Sequence, residues 1–199
     1  EALEAAQKAV ALQPNLSRTQ MVLGFAYLTQ VKTEEARQAF ERAIVLDQAD
    51  PLPRLGLGLA KIRDGDLEDG RREIEIAVSL DPDNALMRSY LGKAYYEEKR
   101  DKQAGDQYEM SKQLDPKDPT PYFYDAIRKQ TTNRPVEALE DMQKAIELND
   151  NREVYRSRLL LDSDLAARSA AQARIYSDLG FQQLALVEGW KSVNTDPSN

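Results

Sequence analysis

The feature that most constrains this chain is a set of marks that returns every 34 residues. A small residue is followed twelve positions later by Ala or Gly, then by a large apolar residue, then by another small one. Residues 17–50 carry Leu23, Gly24 and Tyr27, then Ala36, Phe40 and Ala43. Residues 51–84 carry Leu57 and Gly58, then Gly70, Ile74, Ala77 and Pro82. Residues 85–118 carry Leu91, Gly92 and Tyr95, then Ala104, Tyr108, Ser111 and Pro116. Residues 119–152 keep Ala138, Met142 and Ala145, with Ala126 in the glycine slot. Self-similarity at this period means stacked modules, each too small to bury its hydrophobic face without a neighbour.

The register also finds its own edges. Ala2, Ala6, Ala9 and Pro14 mark residues 1–16 as the second half of a module, so the chain is expected to be an excerpt of a longer one. Marks return at Ala173, Tyr176, Ala185 and Pro197, which makes 166–199 a degenerate repeat and 153–165 an insertion. The expected organisation is a single array over 1–199. Within the insertion, Glu153 to Leu161 reads as a short helix and Asp162-Ser163-Asp164 as caps for the next one. It is either a spacer packed on the stack or a ligand-mimicking or subunit-contacting segment.

Local chemistry agrees with helices in pairs. Antiparallel helices approach closely only where side chains are small, which suits Gly24, Gly58 and Gly92 against Ala36 and Ala104. Leu80-Asp81-Pro82 and Leu114-Asp115-Pro116 are helix stops, because proline disfavours helix in the residue before it and lacks an N–H. Asp50-Pro51 and Asp118-Pro119 are helix starts, each an N-cap followed by proline in the first turn.

These marks resemble the tetratricopeptide repeat, whose signature has Leu-Gly and Tyr in a first helix and Ala, Phe, Ala and a closing Pro in a second. The resemblance implies an all-α fold, a right-handed α-solenoid of antiparallel helix pairs forming a superhelix. The signature's first-helix Trp is missing, with Gln20, Arg54, Arg88 and Tyr122 in its place. It also implies a concave groove lined by the second, fifth, ninth and twelfth positions of each repeat. Those positions hold Met21, Phe25 and Leu28, then Leu55, Leu59 and Ile62, an apolar wall. Further on they hold Lys93 and Tyr96, Phe123 and Ile127, and finally Arg174. The expected occupant is an apolar peptide or amphipathic helix, with Lys93 and Arg174 orienting an acidic end. Packing against neighbouring helices is the competing role for the same residues. Met21 with Phe25, and Ser89 with Lys93, lack the Lys and Asn that family members use to grip a chaperone's C-terminal carboxylate.

Composition excludes much else. The chain has no cysteine and no histidine, which removes disulfides, thiolate chemistry and the commonest zinc and proton-transfer ligands. Its net charge of -7 and lack of a basic run argue against nucleic acid, and no apolar run suggests direct membrane insertion. Gly56-Leu57-Gly58 lacks the further glycines and preceding strand of a nucleotide loop. Asp64-Gly65-Asp66 lacks the spacing of a calcium loop and reads as a solvated turn. No catalytic residue, metal ligand or cofactor is assigned, and the chain is read as a protein-interaction scaffold rather than an enzyme.

A second reading is an assembly module that packs on its own chain or self-associates. The last helix, around Leu184 to Val193, lacks the polar outer face that ends most arrays. The stretch from Leu184 to Pro197, with the insertion, resembles segments of large Gram-negative envelope proteins that carry repeats ahead of an outer-membrane barrel. That resemblance implies a periplasmic place and a part in export or assembly.

Overall fold

A computed structural model describes residues 2–149 and 161–196. Among them the chain forms eleven α-helices: α1 (Ala2–Leu12), α2 (Ser17–Thr29), α3 (Thr33–Leu46), α4 (Pro51–Arg63), α5 (Leu67–Leu80), α6 (Ala85–Glu97), α7 (Asp101–Leu114), α8 (Pro119–Thr131), α9 (Pro135–Glu147), α10 (Leu161–Asp178) and α11 (Gln182–Thr195). Helices α5 and α7 end at the leucines of the Leu-Asp-Pro stops, and Asp81 after α5 has a φ of -138° that leaves the helix. At the expected starts, the Asp50 carboxylate accepts the Leu52 N–H at 3.0 Å and Asp118 accepts the Thr120 N–H at 2.8 Å. Asn84 does the same for the Met87 N–H at 3.1 Å, and each such cap is worth about 1 kcal/mol. Asp162, Ser163 and Asp164 are a correction: α10 already begins at Leu161, so they lie inside the helix instead of capping it. Residues 150–160, most of the insertion, lie outside the described residues.

The chain divides into two compact units, residues 1–100 and 101–199. In the first, α2 pairs with α3 and α4 with α5, α3 and α5 each pack on the following helix, and the first helices α2 and α4 touch. Its core has two clusters, one around Ala36, Phe40 and Leu57, the other around Leu55, Ile74, Val78, Met87 and Leu91. Helices α4 and α5 cross closely at Gly58 and Gly70. A Cβ on Gly58 would lie 2.6 Å from the Gly70 carbonyl oxygen, and one on Gly70 would lie 2.7 Å from that of Gly58. Gly24 lies against a ring: its Cβ would fall 2.6 Å from Phe40, and one on Gly56 would fall 2.3 Å from the same ring. Packing therefore accounts for both glycines of the Gly56-Leu57-Gly58 run.

The second unit pairs α8 with α9 and α10 with α11, and α7 and α9 each pack on the next helix. Its core gathers Ala126, Ala138, Met142, Ala171 and Ile175.

Equivalent positions repeat their polar contacts as well. Where the signature's tryptophan is missing, Gln20, Arg88 and Tyr122 each donate to the carbonyl of the proline six residues earlier, Pro14, Pro82 and Pro116, at 2.9, 2.7 and 3.5 Å. In the module that has Gln48 in place of that proline, Arg54 instead pairs with Glu73 at 2.7 Å. Arg37 reaches Asp64 at 3.4 Å and, one module on, Arg71 reaches Glu98 at 2.9 Å. Asp64 thus answers a cation from the preceding module, while Gly65 between the carboxylates takes the left-handed turn with φ of 96°.

Candidate partner-binding face

The face expected to receive a partner is carried by the first helices, and each unit treats it differently. In residues 1–100, Met21, Phe25 and Leu28 are half-buried against the Phe40 cluster, with the Phe25 ring edge-on to Phe40 at 4.9 Å and 74°. Leu59 and Ile62 are half-buried on the second cluster, and Ile62 covers Gly70. Leu55 is a correction: at 3% exposure it belongs to the core, because the fifth position of this module turns toward Val78 and Leu91. Lys93 and Tyr96 are half-buried on α6, where the Lys99 ammonium lies 5.5 Å from the Tyr96 ring centre. The Arg63 guanidinium donates to the Leu28 carbonyl at 2.6 Å and ties the end of α4 to the end of α2.

In residues 101–199 the predicted residues converge. Phe123 and Ile127 of α8 and Arg174 of α10 line one cleft of about 910 Å³. Ala167, Ala170 and Ala173 keep its α10 wall shallow, and Gly189, Ser192 and Val193 of α11 close another side. Phe123 is braced from behind by the Arg168 guanidinium, 5.7 Å from its ring centre, and by Tyr124 at 5.5 Å. At the mouth, Gln130 donates to Asp178 at 2.7 Å, which links α8 to α10. Arg174 is exposed and forms no ion pair among the described residues. The cleft is thus an apolar floor with a cation, Arg174, and the Asp178 carboxylate, already held by Gln130, on its rim, an arrangement that can orient an apolar chain bearing a charged group.

Gly189 was missed in the sequence although the register held the signal. The large residue of each second helix is Phe40, Ile74, Tyr108 or Met142, all fully buried, and Gly189 stands in that slot in α11. A Cβ added there would meet nothing within 4 Å. The space that a large side chain occupies in the other modules is left to the cleft.

A second concentration of charge in this unit is structural. Lys112 contacts Asp125 at 2.7 Å and Asp141 at 2.9 Å, Lys129 contacts Asp141 at 2.5 Å, and Arg128 contacts Asp125 at 2.7 Å. Burial pushes the Asp125 carboxyl up, but Lys112, Lys129 and Arg128 together outweigh it and hold it below the usual carboxylate range. Asp141 has Lys112 and Lys129 but not Arg128, and burial prevails to raise it. Burial also works against the Lys129 charge, and Asp141 and Asp125 overcome it, raising the lysine. Every group is answered by another in the set, so none is left to act on a substrate.

Comparison with known proteins agrees with this architecture. The tetratricopeptide repeat family model matches residues 1–51 and 55–119, more than half of the chain. A search of curated protein sequences finds no match. Among solved structures, a chain of the APC/C hetero-tetramer Cut9–Hcn1 is similar over 98% of this chain with a TM-score of 0.83 and 18% identity. This chain spans only 36% of that one. A thermophilic tetratricopeptide protein from Thermus thermophilus is similar over 92% of this chain and 93% of its own, with a TM-score of 0.77 and 16% identity. YrrB, a tetratricopeptide protein with an unusual peptide-binding site, is similar over 98% of this chain and 94% of its own, with a TM-score of 0.60 and 16% identity. None of these supports the envelope placement implied by the C-terminal stretch. With an all-α fold of sequential antiparallel helix pairs, and its marks in register through four modules, the chain belongs to the tetratricopeptide repeat family.

Proposed function

We propose that this chain is an interaction scaffold that holds an apolar segment of another polypeptide, a peptide or one face of a helix, on its first helices. The family it belongs to generally mediates protein–protein contact. One observation carries the finer reading: Phe123 and Ile127, one turn apart on α8, and the exposed Arg174 of α10 line one cleft of about 910 Å³. An apolar side chain of the partner enters over Phe123 and Ile127, and an acidic group meets Arg174. Residues 1–100 carry a separate apolar face of Met21, Phe25, Leu28, Leu59 and Ile62, whose half-buried side chains are shared with that unit's core.

The test uses peptides selected on the wild-type chain from a random phage-displayed library. Ile127→Glu and Arg174→Glu are expected to weaken the selected peptides by at least about tenfold each, with helical circular dichroism and melting unchanged. Phe25→Asp is a poor probe, because its ring is packed on Phe40 and the variant reports on folding. Peptides that bind both variants as they bind the wild type would overturn the reading.

A further inference from the structure

The last second helix departs from the others on its outer side. In α3 the positions that face solvent are Glu35, Gln38 and Glu41, and the same three places on α5, α7 and α9 hold charged or amide residues. In α11 they are Leu184, Val187 and Trp190, exposed by 48%, 51% and 74%. Spaced three residues apart, they form one stripe along the helix. This stripe is distinct from the cleft, to which α11 contributes Gly189, Ser192 and Val193 on its opposite side. Nor is it where successive modules stack. Those contacts come from the positions of Arg37 and Arg71, which reach Asp64 and Glu98, and of Val78, which shares a core with Leu91.

We propose that this stripe is an isologous self-association surface, on which α11 of a second copy lies antiparallel across Val187. Charge points to a second copy. The chain carries a net charge of -7, yet α11 holds only Glu188 and Lys191, neutralised by each other at 2.5 Å and flanked by Gln182, Gln183 and Asn194. Two copies that meet here bring two neutral helix faces together without a close like-charge contact, and a foreign partner would find no charge to select it. Shape agrees. With the small Val187 on the twofold axis, Trp190 of each copy covers Leu184 of the other, as an isologous contact requires. Leu184, Val187 and Trp190 offer on the order of 400 Å² of apolar surface per copy, the size of a weak, transient contact. A weak, reversible dimer is expected.

Trp190 is the chain's single tryptophan, so its fluorescence reports this surface directly. Sedimentation equilibrium of the 199-residue chain from micromolar to sub-millimolar concentration should show monomers passing to dimers, with a parallel blue shift of the tryptophan emission. Val187→Glu should stay monomeric throughout, with unchanged helical circular dichroism; Leu184→Gln serves the same purpose if the first variant loses helicity. A mass that stays monomeric with constant emission would overturn the proposal. So would assembly beyond dimers, or a dimer that forms without moving the Trp190 emission or that survives both variants.

Discussion

At the scale of the residue, the turn inside each module sets a requirement that some side chains meet badly. Its tip takes positive φ in every module: 60° at Val31, 96° at Gly65, 62° at Lys99, 59° at Asn133 and 83° at Gly180. Glycine and asparagine accept this region readily, whereas a β-branched side chain there clashes with its own backbone, at roughly 1–2 kcal/mol. Val31 is 68% exposed, so little packing offsets the strain. Val31→Asn is therefore expected to stabilise the chain by about 1 kcal/mol, and Val31→Gly by less because glycine also frees the unfolded chain. Urea unfolding of both variants checks this; a lower midpoint for Val31→Asn would refute it. The opposite sign is expected at Gly56. Alanine there gains about 1 kcal/mol of helix propensity, but its Cβ would sit 2.3 Å from the Phe40 ring. Overpacking at about 1–3 kcal/mol should prevail and lower the melting temperature, and Phe40→Leu in the same chain should restore part of the loss. The glycines at Gly24 and Gly58 were legible from their slot in the repeat. The role of Gly56 was not, because it depends on a ring from the preceding module.

At the scale of the element, one contact between modules has been rebuilt in a different chemistry. Ile44 packs in the cluster of Leu57, and Val78 shares a core with Leu91; the equivalent pair one module later is Lys112 with Asp125. Their side chains are 10% and 4% exposed, so breaking the pair from either side leaves a buried charge, a loss of about 3–5 kcal/mol. Lys112→Val and Asp125→Leu are each expected to destabilise by that order, whereas the double variant, which copies Val78 and Leu91, should recover only part of the stability because it leaves the buried Arg128 without Asp125. A double-mutant cycle in urea measures the coupling; additive losses would show that the two side chains act independently. Helix pairing and the Asp50 and Asp118 caps could be read in the sequence, because the repeat restates them, whereas the Asn84 cap was missed and the caps expected at Asp162 to Asp164 fell inside α10. This ion pair could not. Asp125 stands in the slot of Leu23, Leu57 and Leu91 and looks like a lapse in the pattern until Lys112 is seen facing it. The candidate site was legible in part for a similar reason. The periodic positions found Phe123, Ile127 and Arg174, but Leu55 turned inward, and Gly189 could be found only by asking which large side chain was missing.

At the scale of the whole molecule, the two compact units hold their charges differently, and pH should separate them. Residues 101–199 bury Asp125, whose folded pKa is depressed by Lys112, Lys129 and Arg128 against the pull of burial. A depressed carboxyl pKa adds stability that is complete above its unfolded value, near 4, and is lost as pH falls through the folded one. Asp141, raised by burial, acts in the opposite direction, so the contribution of Asp125 is isolated by comparison with Asp125→Asn, which keeps Asp141 with both of its lysines. Relative to that variant, the wild type should lose protection of the α7–α9 amides below about pH 4. Residues 1–100 carry their sensitivity at the other end of the scale. Burial and the hydrogen bond to Glu75 push the Tyr95 hydroxyl up to about 12, so the neutral phenol stabilises the fold below about pH 10 and that support is lost as pH rises to about 12. Tyr95→Phe cannot ionise and should remove this alkaline loss in α5 and α6 while leaving the acid response of α7–α9 unchanged. Residue-resolved hydrogen exchange at both extremes makes the comparison. An acid loss of the same size in the variant and the wild type would exclude Asp125 as its source, and an alkaline loss that persists in Tyr95→Phe would exclude the phenol.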